Sequence, residues 1–124
     1  MIRMSVFYPS RSNAWFDWNY YTRRHLPMIV QRLGDACIGL TVDKGLTGGA
    51  IGRSVAFEAE YLAMLHLTFP GLAAFETSFE PHAEAFLNDV PHFTDVLPFI
   101  QISEAQEPGG EEPSDDELAH ALAN

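Results

Sequence analysis

The chain is 124 residues long, 47% apolar and 12% aromatic, enough for one domain with a hydrophobic core of its own. Its formal net charge of −10 argues against nucleic acid as a partner, because phosphate binding needs a basic face. With no run of about 18 uncharged apolar residues there is no membrane span to expect, and with Cys37 as the one cysteine there is neither an internal disulfide nor a cysteine-built metal cluster.

Cys37 itself reads as a small apolar core residue. The opening MIRMSVFYPS lacks the long apolar segment of a signal peptide. A cytoplasmic protein is the expectation.

Residues 2–8, IRMSVFY, are a β-rich run closed by Pro9 and predict a first strand. A polar turn follows, and residues 16–34 predict the first helix, ended by Gly34. Asp17 has N-cap chemistry, since its carboxylate can accept the free N–H groups of the first turn, and Phe16 and Tyr21 occupy the staple positions around it. Pro27 has no N–H, leaves the carbonyl of Arg23 unpaired and crowds the preceding turn. A kink or restart is therefore expected near His25 to Pro27, with Leu26 pushed off helical angles.

Residues 37–45, CIGLTVDKG, predict a second strand, and 45–54, GLTGGAIGRS, a glycine-rich loop. The loop is no phosphate cradle: its sixth residue is Ala50 rather than glycine, and a strand rather than a helix follows. Its glycines suit a mobile lid. Residues 58–69 predict a long third strand. Residues 70–89 predict helix, with Leu72, Phe75 and Phe79 at helical spacing and a break at Pro81. Residues 94–103 predict a fourth strand, entered by His92 and Asp95, in which Pro98 marks an edge or a bulge.

The order β-α-β-β-α-β predicts an α+β, ferredoxin-like domain over residues 1–103, a four-stranded antiparallel sheet with two helices on one face. The third strand, YLAMLHL, is apolar on both alternating faces, although the face without helices should be wet and polar. A second copy of the chain packed sheet to sheet is the simplest cover, hence a homodimer. Residues 104–124 form a separate acidic segment: seven acids and no Lys or Arg, against ten acids and seven basic residues in the rest of the chain. Its Pro-Gly-Gly composition predicts a disordered linker, and Ser114 to Glu117 has capping-box spacing for a short final helix.

The candidate site centres on the helix break. Tyr21, His25, Met28 and Ile29 fall on one stripe that should face the sheet. An imidazole titrates near neutral pH and moves protons; the phenols of Tyr20 and Tyr21 can donate to a carbonyl or a developing oxyanion. The plainer alternative is that His25 bonds the carbonyl orphaned by Pro27 and the tyrosines simply pack. His66, His82, His92 and Asp95 are further polar residues that can converge here or serve structure, and Asp95 can equally cap a turn. No pair of the histidines has the close spacing of a zinc motif, so no metal is expected.

The segments FDWNYYTRRHLPMIVQRLG, VDKGLTGGA, HLTF with FETSF, and HFTDVLPFIQIS resemble the EthD family over residues 2–103. The specific parts are F-D-x-x-Y-Y-x-x-x-H-x-P, carried by Phe16, Asp17, Tyr20, Tyr21, His25 and Pro27, and F-T-D-x-x-P, carried by Phe93, Thr94, Asp95 and Pro98. The resemblance implies a dimeric α+β barrel and a small cofactor-free protein acting on a hydrophobic, oxygenated organic molecule. The implied chemistry is oxidoreductase- or monooxygenase-like, or simple proton transfer as in an isomerase or decarboxylase. No flavin, haem or nicotinamide motif is present, so oxygen chemistry requires a substrate that itself donates an electron after deprotonation. The catalytic candidates are His25, Tyr21 and Asp95. The candidate substrate contacts are Tyr20, Asp17, Met28, His66, Phe79 and Phe93. The alternative is a non-catalytic small-molecule-binding or accessory protein of a degradation pathway, with the acidic tail as a docking segment.

Overall fold

The computed structural model describes residues 1–52 and 57–108. The central sheet has four antiparallel strands in the order β2-β5-β1-β6, built from β1 (Ile2–Pro9), β2 (Gly39–Lys44), β5 (Tyr61–Phe69) and β6 (Phe99–Glu104). Helices connect β1 to β2 and β5 to β6, so the fold is the expected ferredoxin-like α+β arrangement. Register fixes the two faces. Met4 pairs with Leu67, Val6 with Leu65 and Tyr8 with Ala63, and all six are buried under the helices.

The first helix forms as its sequence directs. Asp17 Oδ1 accepts the N–H of Tyr20 at 3.0 Å, a cap worth about 1 kcal/mol, and the rings of Phe16 and Tyr21 meet at 5.0 Å as a staple. The chain then runs α1 (Trp18–Tyr20), a π-helical turn (Tyr21–His25) and α2 (Leu26–Leu33). Leu26 keeps helical angles, φ −62° and ψ −45°, and its N–H reaches back to the carbonyl of Tyr21. After this wide turn the helix restarts as α2 with Pro27 in its first turn, where the missing N–H costs least, so of the expected kink or restart it is the restart that is seen. Gly34, at φ +60°, ends the helix in a conformation that glycine adopts freely.

Three other boundaries differ from expectation. The long third strand starts at Tyr61; Phe57–Glu58 (β4) instead pairs with Thr47–Gly48 (β3) in a two-stranded ribbon. The glycine-rich segment, 45–54, is therefore partly a hairpin strand, with residues 53–56 outside the described residues. The second helical segment is α3 (Leu72–Phe79), a 3₁₀ turn at Pro81 and α4 (Ala83–Asp89). The fourth strand begins at Phe99, not residue 94, so neither His92 nor Asp95 enters it. Residues 94–98 are held otherwise: Thr94 bridges Phe16, and the Thr94 hydroxyl donates to the carbonyl of Trp15 at 2.6 Å. Pro98 sits just before an edge strand, where its missing N–H costs no ladder bond.

The helix-free face is mixed rather than uniformly apolar. One cross-strand row is polar, Thr41, His66, Ser5 and Gln101; the next carries Met64, Phe7 and Phe99 beside Asp43. The rings of Phe7, Tyr61 and Phe99 cluster there, 5.2 to 6.1 Å apart. Strand β6 runs to Glu104 and the Ala105 N–H donates to the carbonyl of Met1 at 2.9 Å; the disordered linker expected over 105–114 is described only to residue 108, and the final helix lies outside the described residues.

Candidate active site

The π-helical turn and the end of α4 meet beneath the aromatic core. His25, 2% exposed, turns its ring parallel to that of Tyr21 at 5.5 Å and lies 4.5 Å from the ring of Phe93. Its Nδ1 lies 2.8 Å from Oδ2 of Asp89. The other carboxylate oxygen, Oδ1, accepts the hydroxyl of Tyr20 at 2.7 Å. Asp89 thus holds an imidazole on one side and a phenol on the other. With Nδ1–H given to Asp89, Nε2 is the ring nitrogen left with a lone pair.

The electrostatics follow from burial and pairing. Burial lowers the pKa of His25, and Asp89 opposes that shift without overcoming it, so the imidazole is neutral at neutral pH. Burial by itself would raise the Asp89 carboxyl, but the hydrogen bonds from His25 and Tyr20 outweigh it and the group titrates lower than usual. The bond to the Asp89 carboxylate raises the pKa of Tyr20. A neutral base oriented by a carboxylate is the state that can take a proton from a weak carbon or oxygen acid.

His25 faces a cavity of about 210 Å³ between the sheet and the helices. Its floor is Met4, Val6, Leu65 and Leu67, and its far wall is Phe79, Ala83 and Phe86. Leu87 and Ile100, 53% and 52% exposed, mark its open end. Among the described residues lining it, only His25 and Tyr8 carry side-chain nitrogen or oxygen. At this size, below the roughly 300–1,000 Å³ of drug-sized sites, it suits a one- or two-ring molecule.

The candidates from the sequence separate into three groups. His25 and Phe79 line the cavity. Tyr20, Tyr21 and Phe93 sit directly behind His25, with Tyr21 and Phe93 fully buried, and Asp17 caps the helix that carries them. Met28 is half-buried against the core. Two residues lie elsewhere. Asp95 is exposed, paired with Arg11 at 2.7 Å and accepting the N–H of Trp15 at 2.9 Å; that N–H and the guanidinium hold its carboxyl below the usual range. His66 is on the helix-free face of the sheet, with Nδ1 2.7 Å from Ser5 Oγ. His82 is also apart, beside Phe86, whereas His92 adjoins the site: it stacks on Tyr20 and its charge helps to lower the Asp89 carboxyl.

Asp89 and Tyr8 escaped the sequence reading. Asp89 left one clue: an acid in the last turn of a helix stands against the helix dipole and needs another reason to be there. Tyr8 left none, because an inward tyrosine at a strand end looks like ordinary core.

No protein-family model matches the chain, and no curated protein matches it. Among solved structures, an EthD-like protein from Ralstonia eutropha is 38% identical, with 83% of this chain and 89% of that one covered and a TM-score of 0.73. An EthD family protein from Bacillus halodurans is 15% identical over 86% of this chain and 99% of that one, with a TM-score of 0.62. A protein from Arabidopsis thaliana is 9% identical over 88% and 99%, with a TM-score of 0.58. The last two are likenesses of fold alone.

Proposed function

The chain belongs to the EthD family, and from that premise we propose that it is a small enzyme that moves a proton on a hydrophobic, oxygenated organic molecule, with His25 as the acid–base group. The observation that carries this reading is the 2.8 Å contact between His25 Nδ1 and Asp89 at the wall of an apolar cavity. A histidine that only mended the orphaned carbonyl of Arg23 would have no need of a carboxylate partner. Asp89 acts as a positioning residue that fixes the tautomer, and Tyr20 holds the second oxygen of that carboxylate. Removal of a proton from a carbon or oxygen acid opens both isomerisation and cofactor-free oxygenation, so the oxidoreductase-like chemistry of the family resemblance needs the same first step.

The test is proton exchange. Ketones, phenols, quinones and lactones that raise the melting temperature are incubated in D₂O with the protein, and deuterium incorporation is followed by NMR. Wild type should exchange the acidic C–H of a bound ketone, and His25→Ala should lose about 100-fold or more of that rate. Equal rates in the two proteins would remove His25 from the chemistry and leave the alternative, a small-molecule-binding or accessory protein.

The partner reading is a homodimer through the helix-free face, supported by the cluster of exposed Phe99 and half-buried Phe7 and Tyr61 there. Sedimentation should give a dimer for wild type and a monomer for Phe7→Asp; a monomeric wild type would end this reading.

A further inference from the structure

Two tyrosine hydroxyls are unexplained by the proton-transfer reading. The Tyr21 hydroxyl is buried with no hydrogen-bond partner. A buried hydroxyl without a partner carries the full penalty of leaving water, so it needs a reason to be kept. The ring of Tyr8 stands edge-on to that of Tyr21, 5.8 Å between centroids and 82° between planes. Tyr8 is itself 1% exposed, yet it lines the cavity that His25 lines. The two hydroxyls already act on one another, Tyr21 as donor towards Tyr8, but the contact falls short of full hydrogen-bond geometry.

We propose that the hydroxyls of Tyr8 and Tyr21 form an oxygen-binding subsite in the buried wall of the cavity, and that the ligand it takes is a neutral one- or two-ring ketone or phenol, not a carboxylate. This rests on the reading of the cavity as a ligand site. Tyr8 gives its proton to the ligand oxygen, and Tyr21, behind it, gives its own proton to the oxygen of Tyr8. Each bond strengthens the other in a dry, low-dielectric setting. Burial keeps both phenols protonated, so both remain donors at any working pH.

The exclusion of carboxylates has its own basis. Among the described residues no Lys or Arg side chain lines the cavity, and its floor and far wall are apolar. The carboxylate of Asp89 stands behind His25. An anion entering there would lose its hydration with no cation to replace it. A ketone has no such cost. With its oxygen on Tyr8, its adjacent carbon lies in the cavity that His25 faces.

The experiment is equilibrium binding of 1-indanone, indane and indane-1-carboxylate to the full chain and to Tyr8→Phe and Tyr21→Phe, read by tryptophan fluorescence. Wild type should bind 1-indanone about tenfold more tightly than indane, and indane-1-carboxylate more weakly than either. Tyr8→Phe should erase the preference for the ketone while leaving indane affinity within about twofold, because the cavity keeps its shape. Tyr21→Phe should reduce the preference in part. A preference that survives in Tyr8→Phe, or tightest binding by the carboxylate, overturns the subsite. Failure of all three probes to bind wild type overturns both the ligand site and the subsite. Loss of preference in Tyr8→Phe, with deuterium exchange unchanged in His25→Ala, keeps the subsite and removes the proton-transfer reading alone.

Discussion

Asp89 Oδ2 lies 2.8 Å from His25 Nδ1, although the two residues are 64 positions apart in the chain. Each is at the end of a helical turn, and neither would be bonded without the other helix in place. This contact sets the tautomer of the imidazole, and it makes a measurable difference to how His25 titrates. Asp89→Asn removes the one interaction that holds the His25 pKa up against burial. The imidazole should then titrate lower still in an NMR pH series. Exchange activity should fall at least about tenfold as the tautomer is no longer fixed. A His25 titration that stays in place or moves upward would contradict the geometry.

Stability should depend on pH in two windows. His25 is lowered in the fold from the ordinary 6.5, so the unfolded chain takes up a proton there before the native one does. Its contribution is complete above about pH 6.5 and is lost as the pH falls from that value towards the folded pKa. Asp89 is lowered from 3.8, so its contribution is present above that value and is lost as the pH falls through the folded pKa. Urea unfolding midpoints at pH 7.5, 6.0 and 5.0 should fall for wild type and fall less for His25→Gln. Parallel curves for the two proteins would place the loss on other groups.

Phe93 is the packing centre of the site. Its fully buried ring touches Tyr8, Phe16, Tyr21 and His25 at 4.5 to 5.8 Å. Phe93→Ala leaves a hole between four rings that are themselves anchored, so it should cost about 3–5 kcal/mol in urea unfolding. A cost under about 1.5 kcal/mol would mean that the aromatic cluster collapses readily and is a poor support for His25.

The unpartnered hydroxyl of Tyr21 predicts an unusual result for a fully buried residue. Tyr21→Phe keeps the ring and removes the unbonded group. The folded state should be unchanged or more stable, by up to about 1–3 kcal/mol. A loss of more than about 1 kcal/mol would show that the hydroxyl has a partner in solution, such as an ordered water.

Much of the fold was legible in the sequence because local chemistry and periodicity carry it. Asp17 caps, Phe16 and Tyr21 staple, and Gly34 stops the first helix as their residue types direct. Pro27 marked the right place, since a π-helical turn ends at His25 and α2 starts at Leu26, but Leu26 keeps helical angles because the wide turn precedes the proline. Asp95 misled: an acid beside the Phe-Thr-Asp motif is held by Arg11 and the N–H of Trp15, which lie 84 and 80 positions away.

The sequence by itself determined the α+β class, the order of elements and the stripe that carries Tyr21 and His25 inward, since propensity, capping and apolar spacing act over a few residues. Only the tertiary structure decided what His25 meets there. Asp89, Tyr8 and the apolar wall come from α4, β1 and β5, and no local pattern records a contact made across the core. The sheet register and the helix packing set these pairings when they closed the cavity, bringing Asp89 within reach of both His25 and Tyr20 while leaving the Tyr21 hydroxyl without a bonded partner.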